Sequence, residues 1–144
     1  MKASRFDAKT IAALDEGKIL GIRAGTGPHR VIGIWMVVVE RRLFVRSWTV
    51  KPDGWYRTFL EDPRGVIEIG GRTIPVRAIR TRSERLKAAV DRAYAEKYDT
   101  KGSQTYVRGF KRPTRRDTTT ELVPVARIRV AAGRPYSDAS GRAS

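Results

Sequence analysis

The chain has 144 residues, 30 of them lysine or arginine against 15 aspartate or glutamate, a formal net charge of +15 and no cysteine. That length fits one domain with core enough to fold without staples, and the missing cysteine excludes a disulfide framework, a thiolate zinc site and a cysteine nucleophile. The charge favours encounters with anionic partners, whether nucleic acid, acidic lipid or a phosphorylated small molecule, without choosing among them.

In chain order, Asp7 suits the N-cap of a short helix, Ala8 to Asp15, with Phe6 and Ile11 placed as a hydrophobic staple and Gly17 placed to end it. Lys18 to Arg23 reads as a strand, followed by the loop AGTGPHR. Val31 to Val39, VIGIWMVVV, is apolar without alternation, the pattern of a strand buried on both faces in a closed barrel or under a dimer interface. It is far shorter than the roughly 20 residues a membrane-spanning helix needs. Glu40-Arg41-Arg42 is a polar turn, and Leu43 to Trp48 pairs back as a hairpin.

Asp53 is placed to cap a helix from Gly54 to Asp62, with Trp55, Phe59 and Leu60 on one side and Pro63 as its stop. Val66 to Ile69, Gly70-Gly71 and Arg72 to Ile79 form a second hairpin, with Ile67, Ile69, Ile74 and Val76 facing inward. Pro75 lacks an N–H, which places its strand at an edge or gives it a bulge. Ser83 caps the longest helix, Glu84 to Tyr98, whose stripe is Leu86, Ala89, Val90, Ala93 and Tyr94. Asp99 to Asp117 is polar and basic and carries no clear period. Thr119 to Val130 reads as a last strand containing Pro124, and 131–144 as a flexible tail. Hairpin links dominate, so the expected fold is α+β, mainly β: a barrel of mostly antiparallel strands with helices packed outside, in one domain over 1–130.

No self-sufficient catalytic set is present. The single histidine, His29, sits in a Gly/Pro loop, and the sequence has no nucleophile elbow, EF-hand spacing, Walker loop or G-x-G-x-x-G. Hard chemistry would have to come from a bound cofactor. LFVRSWTVKPDGWYR offers a place for one. Arg46 and Ser47 end a strand and can grip phosphate, with Lys51, Arg57 and the start of a helix nearby. Trp48 or Trp55 can wall a flat ring. The same tryptophans can equally be core, and the arginines solvated. Lys97, at the end of the long helix, is a second candidate, although a lysine there also suits the helix dipole. The run YVRGFKRPTRR, Tyr106 to Arg116, interleaves aromatic and basic residues, as single-stranded nucleic-acid binders do, or as a loop closing over an anion does. No RRM, KH or helix-turn-helix pattern accompanies it.

The stretch VRSWTVKPDGWYRTFLEDPRGVIEIGGRTIPVRAI, with the later AYAEKY, resembles a bacterial family known as domain of unknown function 2255, over roughly Asp7 to Val125. WYRTFLEDPRGVIEIGGRTIPVRA is also similar to deazaflavin-dependent nitroreductases and quinone reductases, through its Trp-Tyr helix start, the proline after the helix and the Gly-Gly hairpin. The resemblance implies a split β-barrel of the pyridoxamine-phosphate-oxidase type, a homodimer, and FMN or deazaflavin in a groove at the barrel edge. The loop that embraces the cofactor phosphates in those relatives matches Arg46, Ser47, Trp48, Thr49, Lys51 and Trp55. This loop has one lysine and one glycine where theirs is rich in both, and Thr58 stands where they place asparagine. FMN, deazaflavin and no cofactor all stay open.

A flavin- or deazaflavin-dependent reductase of a small oxidised substrate is therefore the first expectation. A non-catalytic split barrel binding a small anion or a partner protein is the second, and a basic nucleic-acid binder the last. A cytoplasmic location without membrane contact is expected, since MKASRFDAKT contains no apolar core of a signal peptide.

Overall fold

The computed structural model describes residues 5–125. The far part of the expected last strand and the expected tail over 131–144 lie outside these residues. Helix α1 spans Ala8–Glu16. Strands β1 (Leu20–Ala24), β2 (Ile32–Ile34), β3 (Val37–Val39) and β4 (Arg42–Val45) precede helix α2 (Trp55–Glu61). Strands β5 (Arg64–Ile69) and β6 (Arg72–Arg80), helices α3 (Glu84–Lys97), α4 (Lys101–Gly109) and α5 (Pro113–Arg116), and strand β7 (Thr120–Pro124) follow. The strands form one antiparallel sheet of order β2-β1-β5-β6-β7-β4-β3. Its architecture is the curled split-barrel type, mainly β with helices packed outside.

The apolar run Val31 to Val39, expected as one strand, is two. Ile32–Ile34 pairs with β1 at one end of the sheet, and Val37–Val39 pairs with β4 at the other. Trp35 and Met36 carry the chain across, so two edges far apart in the sheet are two residues apart in sequence. The expectation of burial on both faces holds only beyond this break. Met36 and Val37 are buried, whereas Val31 and Ile32 are exposed.

Such a seam leaves strand backbone without ladder partners, and buried peptide groups need partners. The end of α3 supplies them. The Tyr98 hydroxyl accepts from the Met36 N–H at 3.0 Å and lies 2.9 and 2.8 Å from the carbonyls of Met36 and Lys18. The Lys97 ammonium donates to the carbonyls of Met36 (3.0 Å) and Leu14 (2.9 Å), the latter in the last turn of α1, where helix carbonyls lack partners. The Tyr94 hydroxyl accepts from the Arg46 N–H at 3.1 Å. Burial pushes the Lys97 amine down to about 8 and the Tyr98 phenol up to about 12.

Two apolar clusters lie on the two faces of the sheet. Leu14, Leu20, Ile22, Leu43, Val45, Ile67, Val76 and Leu122 belong to the one that fills the barrel. Val37 and Phe44 meet Leu86, Val90, Tyr94 and Phe110 of the helical layer. Strand β4 contributes to both, which is why LFV lacks polar alternation. Asp7 and Ser83 cap α1 and α3 as their sequences predict, accepting from Thr10 and Leu86. Phe6 and Ile11 are both in the barrel cluster, as a staple requires.

Several expectations need correction. Asp53 does not cap α2; Gly54 occupies that position and provides no side-chain bond. Leu60 faces solvent, and Tyr56 joins Trp55 and Phe59 in the core instead. Strand β6 is neither an edge nor bulged at Pro75, because it pairs with β5 and β7. The Pro75 carbonyl accepts from Val125 on the β7 side. Its nitrogen faces the same way, so the missing donor falls where that ladder ends and β5 loses nothing. Asp99 to Asp117 folds into two short helices, the first capped by Thr100 accepting from Ser103.

Both tight hairpins have positive φ at their two central residues: Gly70 and Gly71 in one, Glu40 (φ 55) and Arg41 (φ 62) in the other. Glycine adopts this geometry freely, but a side chain does not. Arg41→Gly should raise unfolding free energy by about 0.5–1 kcal/mol, net of the freedom glycine adds to the unfolded chain, and urea unfolding measures it.

Lys97 gives a second expectation. Between about pH 8 and its ordinary 10.5 the folded chain has released a proton that the unfolded chain keeps, so stability rises with pH there. Above about 10 the raised tyrosine reverses the slope, since the unfolded chain then holds fewer protons. Urea midpoints at pH 7 and 9.5 should show an increment in the parent chain that Lys97→Gln lacks.

Candidate functional site

Where β4 ends, the chain turns away from the sheet through Ser47, Trp48 and Thr49 and re-enters a helix at Gly54 and Trp55. Opposite stand β2 and the seam, with Ile32, Gly33, Ile34 and Trp35, and beside them α4 with Tyr106 and Phe110. These segments enclose an open groove of about 500 Å³. All three tryptophans of the chain line it. Trp48 and Tyr106 are 41% and 53% exposed, large fractions for aromatic rings, and they meet edge to face at 5.4 Å. Trp35 is stacked on Tyr98 at 4.1 Å, so the seam also fixes one wall. A cavity of several hundred Å³ lined mainly by aromatic and apolar side chains is the form that small-molecule sites commonly take.

Five of the eight residues singled out in the sequence come together here: Arg46, Ser47, Trp48, Thr49 and Trp55. Lys51 and Arg57 are exposed on the adjoining loop and helix, outside the lining; Arg57 donates to the Val50 carbonyl at 3.2 Å. Lys97 is absent from the groove, since its amine is engaged at the seam.

Arg46 reaches the groove but does not offer its charge to it. Its side chain is fully buried, with Nε donating to the Thr119 hydroxyl at 2.8 Å and Nη2 to the Lys87 carbonyl at 3.0 Å. Nη1 donates to Asp91 at 2.7 Å and to the Phe110 carbonyl at 3.1 Å. Burial lowers its pKa and the bond to Asp91 opposes that shift, so the pair is held as an ion pair. The phosphate-gripping role expected of Arg46 is replaced by a structural one: it ties β4 to α3, α4 and the start of β7. Ser47 is engaged similarly, its N–H donating to Thr118 at 2.8 Å and its hydroxyl to the Thr49 carbonyl. Asp91 also takes Arg116, which reaches Glu84 as well, while Lys87 pairs with Asp117. These bonds hold the Glu84 and Asp117 carboxyls below their usual range.

The run Tyr106 to Arg116 is where sequence reasoning assigned least and the structure adds most. Its aromatic members Tyr106 and Phe110 turn into the groove instead of standing as a stacking platform among the arginines. Arg115 lies over the Trp48 ring at 3.6 Å, and its Nε donates to the Trp48 carbonyl at 2.9 Å. The available signal was the i, i+4 spacing of Tyr106 and Phe110 after the Thr100 cap. Ile19, Ile32, Ile34 and Trp35 were also missed as site residues, because strand residues announce burial and not what they face. Among the described residues, no group of three or more His, Asp or Glu could hold a metal, and no helix is long and apolar enough to cross a membrane.

A curled antiparallel sheet whose chain closes its own edges, with helices on the outer face, defines the split-barrel class. Solved structures that share it include three. One is a conserved hypothetical protein from Mycobacterium tuberculosis, with 15% identity, TM-score 0.57, and 88% of this chain and 83% of that one covered. Another is a candidate pyridoxamine 5'-phosphate oxidase from Listeria innocua, with 15% identity, TM-score 0.54 and coverage of 81% and 90%. The third is a FAD-binding protein from Mesorhizobium loti, with 11% identity, TM-score 0.50 and coverage of 89% and 95%. At these identities the likeness is one of fold. The chain belongs to the bacterial family described as "Uncharacterized protein conserved in bacteria (DUF2255)", which matches residues 7–122. No curated protein matches it.

The bonding of Arg46 leads to a direct expectation. Arg46→Met should cost about 3 kcal/mol or more in urea unfolding, because the Thr119 hydroxyl and two carbonyls lose their donor in a buried place and Asp91 keeps only Arg116. Arg46→Lys should recover little of it, since one ammonium cannot span acceptors on three elements.

Proposed function

We propose that the groove binds a flat-ringed cofactor of the flavin class, FMN or a deazaflavin, and that the protein uses it to reduce a small oxidised substrate. The observation that carries this reading is the convergence of Trp35, Trp48, Trp55, Tyr106 and Phe110 on one cavity of about 500 Å³. The fold adds support, since its solved relatives include a FAD-binding protein and a candidate pyridoxamine 5'-phosphate oxidase.

The lining fits the ring portion of such a group. Apolar side chains and aromatic faces favour a planar heterocycle. With Arg46 engaged internally, the anionic end falls to Lys51 and Arg57 beside the mouth, neither of which forms an ion pair among the described residues. When bound, a flavin supplies hydride acceptance and transfer. The protein's own residues orient the ring and keep water from its buried face. Arg46 is the one charged side chain in the lining and it stays protonated, so the proton that completes a reduced product comes from solvent. Two copies would cover the exposed Val31 and Ile32 beside the groove, which supports a homodimer.

The same lack of a free acid or base favours a second reading, a non-catalytic member of the fold that holds a small ligand there. Redox turnover separates the two, since a binder holds pre-reduced flavin without passing its hydride to an added nitro or quinone acceptor.

Purified protein titrated with FMN and with a deazaflavin should change the flavin absorbance and quench tryptophan fluorescence at micromolar concentration. Trp48→Ala, which removes the exposed tryptophan wall, should weaken that binding by roughly tenfold. No spectral change with either compound, in protein with native circular dichroism, removes the cofactor reading.

A further inference from the structure

Gly109 is the last residue of α4, and its missing side chain has no conformational explanation. The described glycines with positive φ are Gly25, Gly70 and Gly71, so Gly109 adopts a backbone open to any residue. Alanine would favour the helix there. What prevents a side chain is a neighbour. A methyl group built on Gly109 would overlap Cη2 of Trp48, lie 2.8 Å from its Cζ3 and come within 3.3 Å of the Arg115 guanidinium.

Trp48 is a wall of the groove, and the rest of its surroundings are occupied. Arg115 covers the ring at 3.6 Å. Tyr106 and Phe110 meet it edge-on, each at 5.4 Å between centroids. Helix α4 cannot easily withdraw, because Arg46 holds the Phe110 carbonyl at one end and Gln104 donates to the Tyr98 carbonyl at 2.8 Å near the other. An added methyl must therefore move the indole, and the open side is the groove.

From this we infer that Gly109 determines how wide the groove is at Trp48, and so which planar ring it admits. It is a positioning residue acting through Trp48. The inference rests on the flavin reading for its ligand but not for its mechanics. Gly109→Ala should fold, with the indole displaced into the cavity, because a ring at the end of a side chain yields more cheaply than backbone. The variant should lose about tenfold or more in affinity for FMN, as one stacking wall is misplaced. Trp48→Phe/Gly109→Ala, with a smaller ring against the methyl, should bind FMN about as well as Trp48→Phe alone.

FMN titration of the parent chain and these three variants, with a crystal structure of Gly109→Ala, tests the inference. An undisturbed Trp48 in that structure overturns it. So does a double variant that binds FMN clearly more weakly than Trp48→Phe alone. If Gly109→Ala does not fold but the double variant does, the steric coupling stands; if neither folds, it falls. If the parent chain binds neither FMN nor a deazaflavin, the flavin reading fails, and the position of the Trp48 indole in Gly109→Ala alone decides whether Gly109 sets the groove.

Discussion

The structure turns on the contact between the end of α3 and the chain break at Trp35-Met36. A sheet of seven strands closes because one apolar segment serves both edges, and that requires peptide groups at the crossing with no strand beside them. Tyr98 and Lys97 give those groups hydrogen-bond partners. Without them, buried amides and carbonyls would be unsatisfied, each at about 1–3 kcal/mol, and the closure would be unfavourable. The perturbed pKa values of Lys97 and Tyr98 follow from placing polar heads where backbone needs them and where they are partly shielded from water.

The groove depends on that closure. Trp35 is one of its walls because the seam holds it against Tyr98, and β2 is another because the break frees it to pair with β1. On the far side, Arg46 performs for the helical layer what Lys97 performs for the seam. A guanidinium with acceptors on α3, α4 and the start of β7 fixes α4, and α4 carries Tyr106 and Phe110. Two cations that look available in the sequence are thus parts of the frame. The charges left for a ligand lie at the rim, and the interior is aromatic.

The groove is lined mainly by aromatic and apolar side chains, and its one charged member, Arg46, is engaged internally. The basic run of α4 and α5 shows the same division. Arg116 is in ion pairs, Arg115 rests on Trp48, and the aromatic residues of the run, Tyr106 and Phe110, line the groove.

Much was legible in the sequence. Caps at Asp7 and Ser83, the Gly-Gly hairpin, the stop at Pro63 and the antiparallel barrel follow from local chemistry that acts within a few residues. The segment from Arg46 to Trp55 was recognisable as a strand end leading to an aromatic helix start, a local pattern, and the fold brings Arg46, Ser47, Trp48, Thr49 and Trp55 to one groove. The break in Val31 to Val39 was not legible, since an unbroken apolar run looks the same whether it pairs with one neighbour or two. Nor were the roles of Arg46 and Lys97, because residue type gives a charge but not its acceptors. The carboxylate, hydroxyl and carbonyls around Arg46 lie 41 to 73 residues away in sequence. Long-range hydrogen bonds leave no periodic trace, and only the folded chain decides whether a cation meets a ligand or its own backbone.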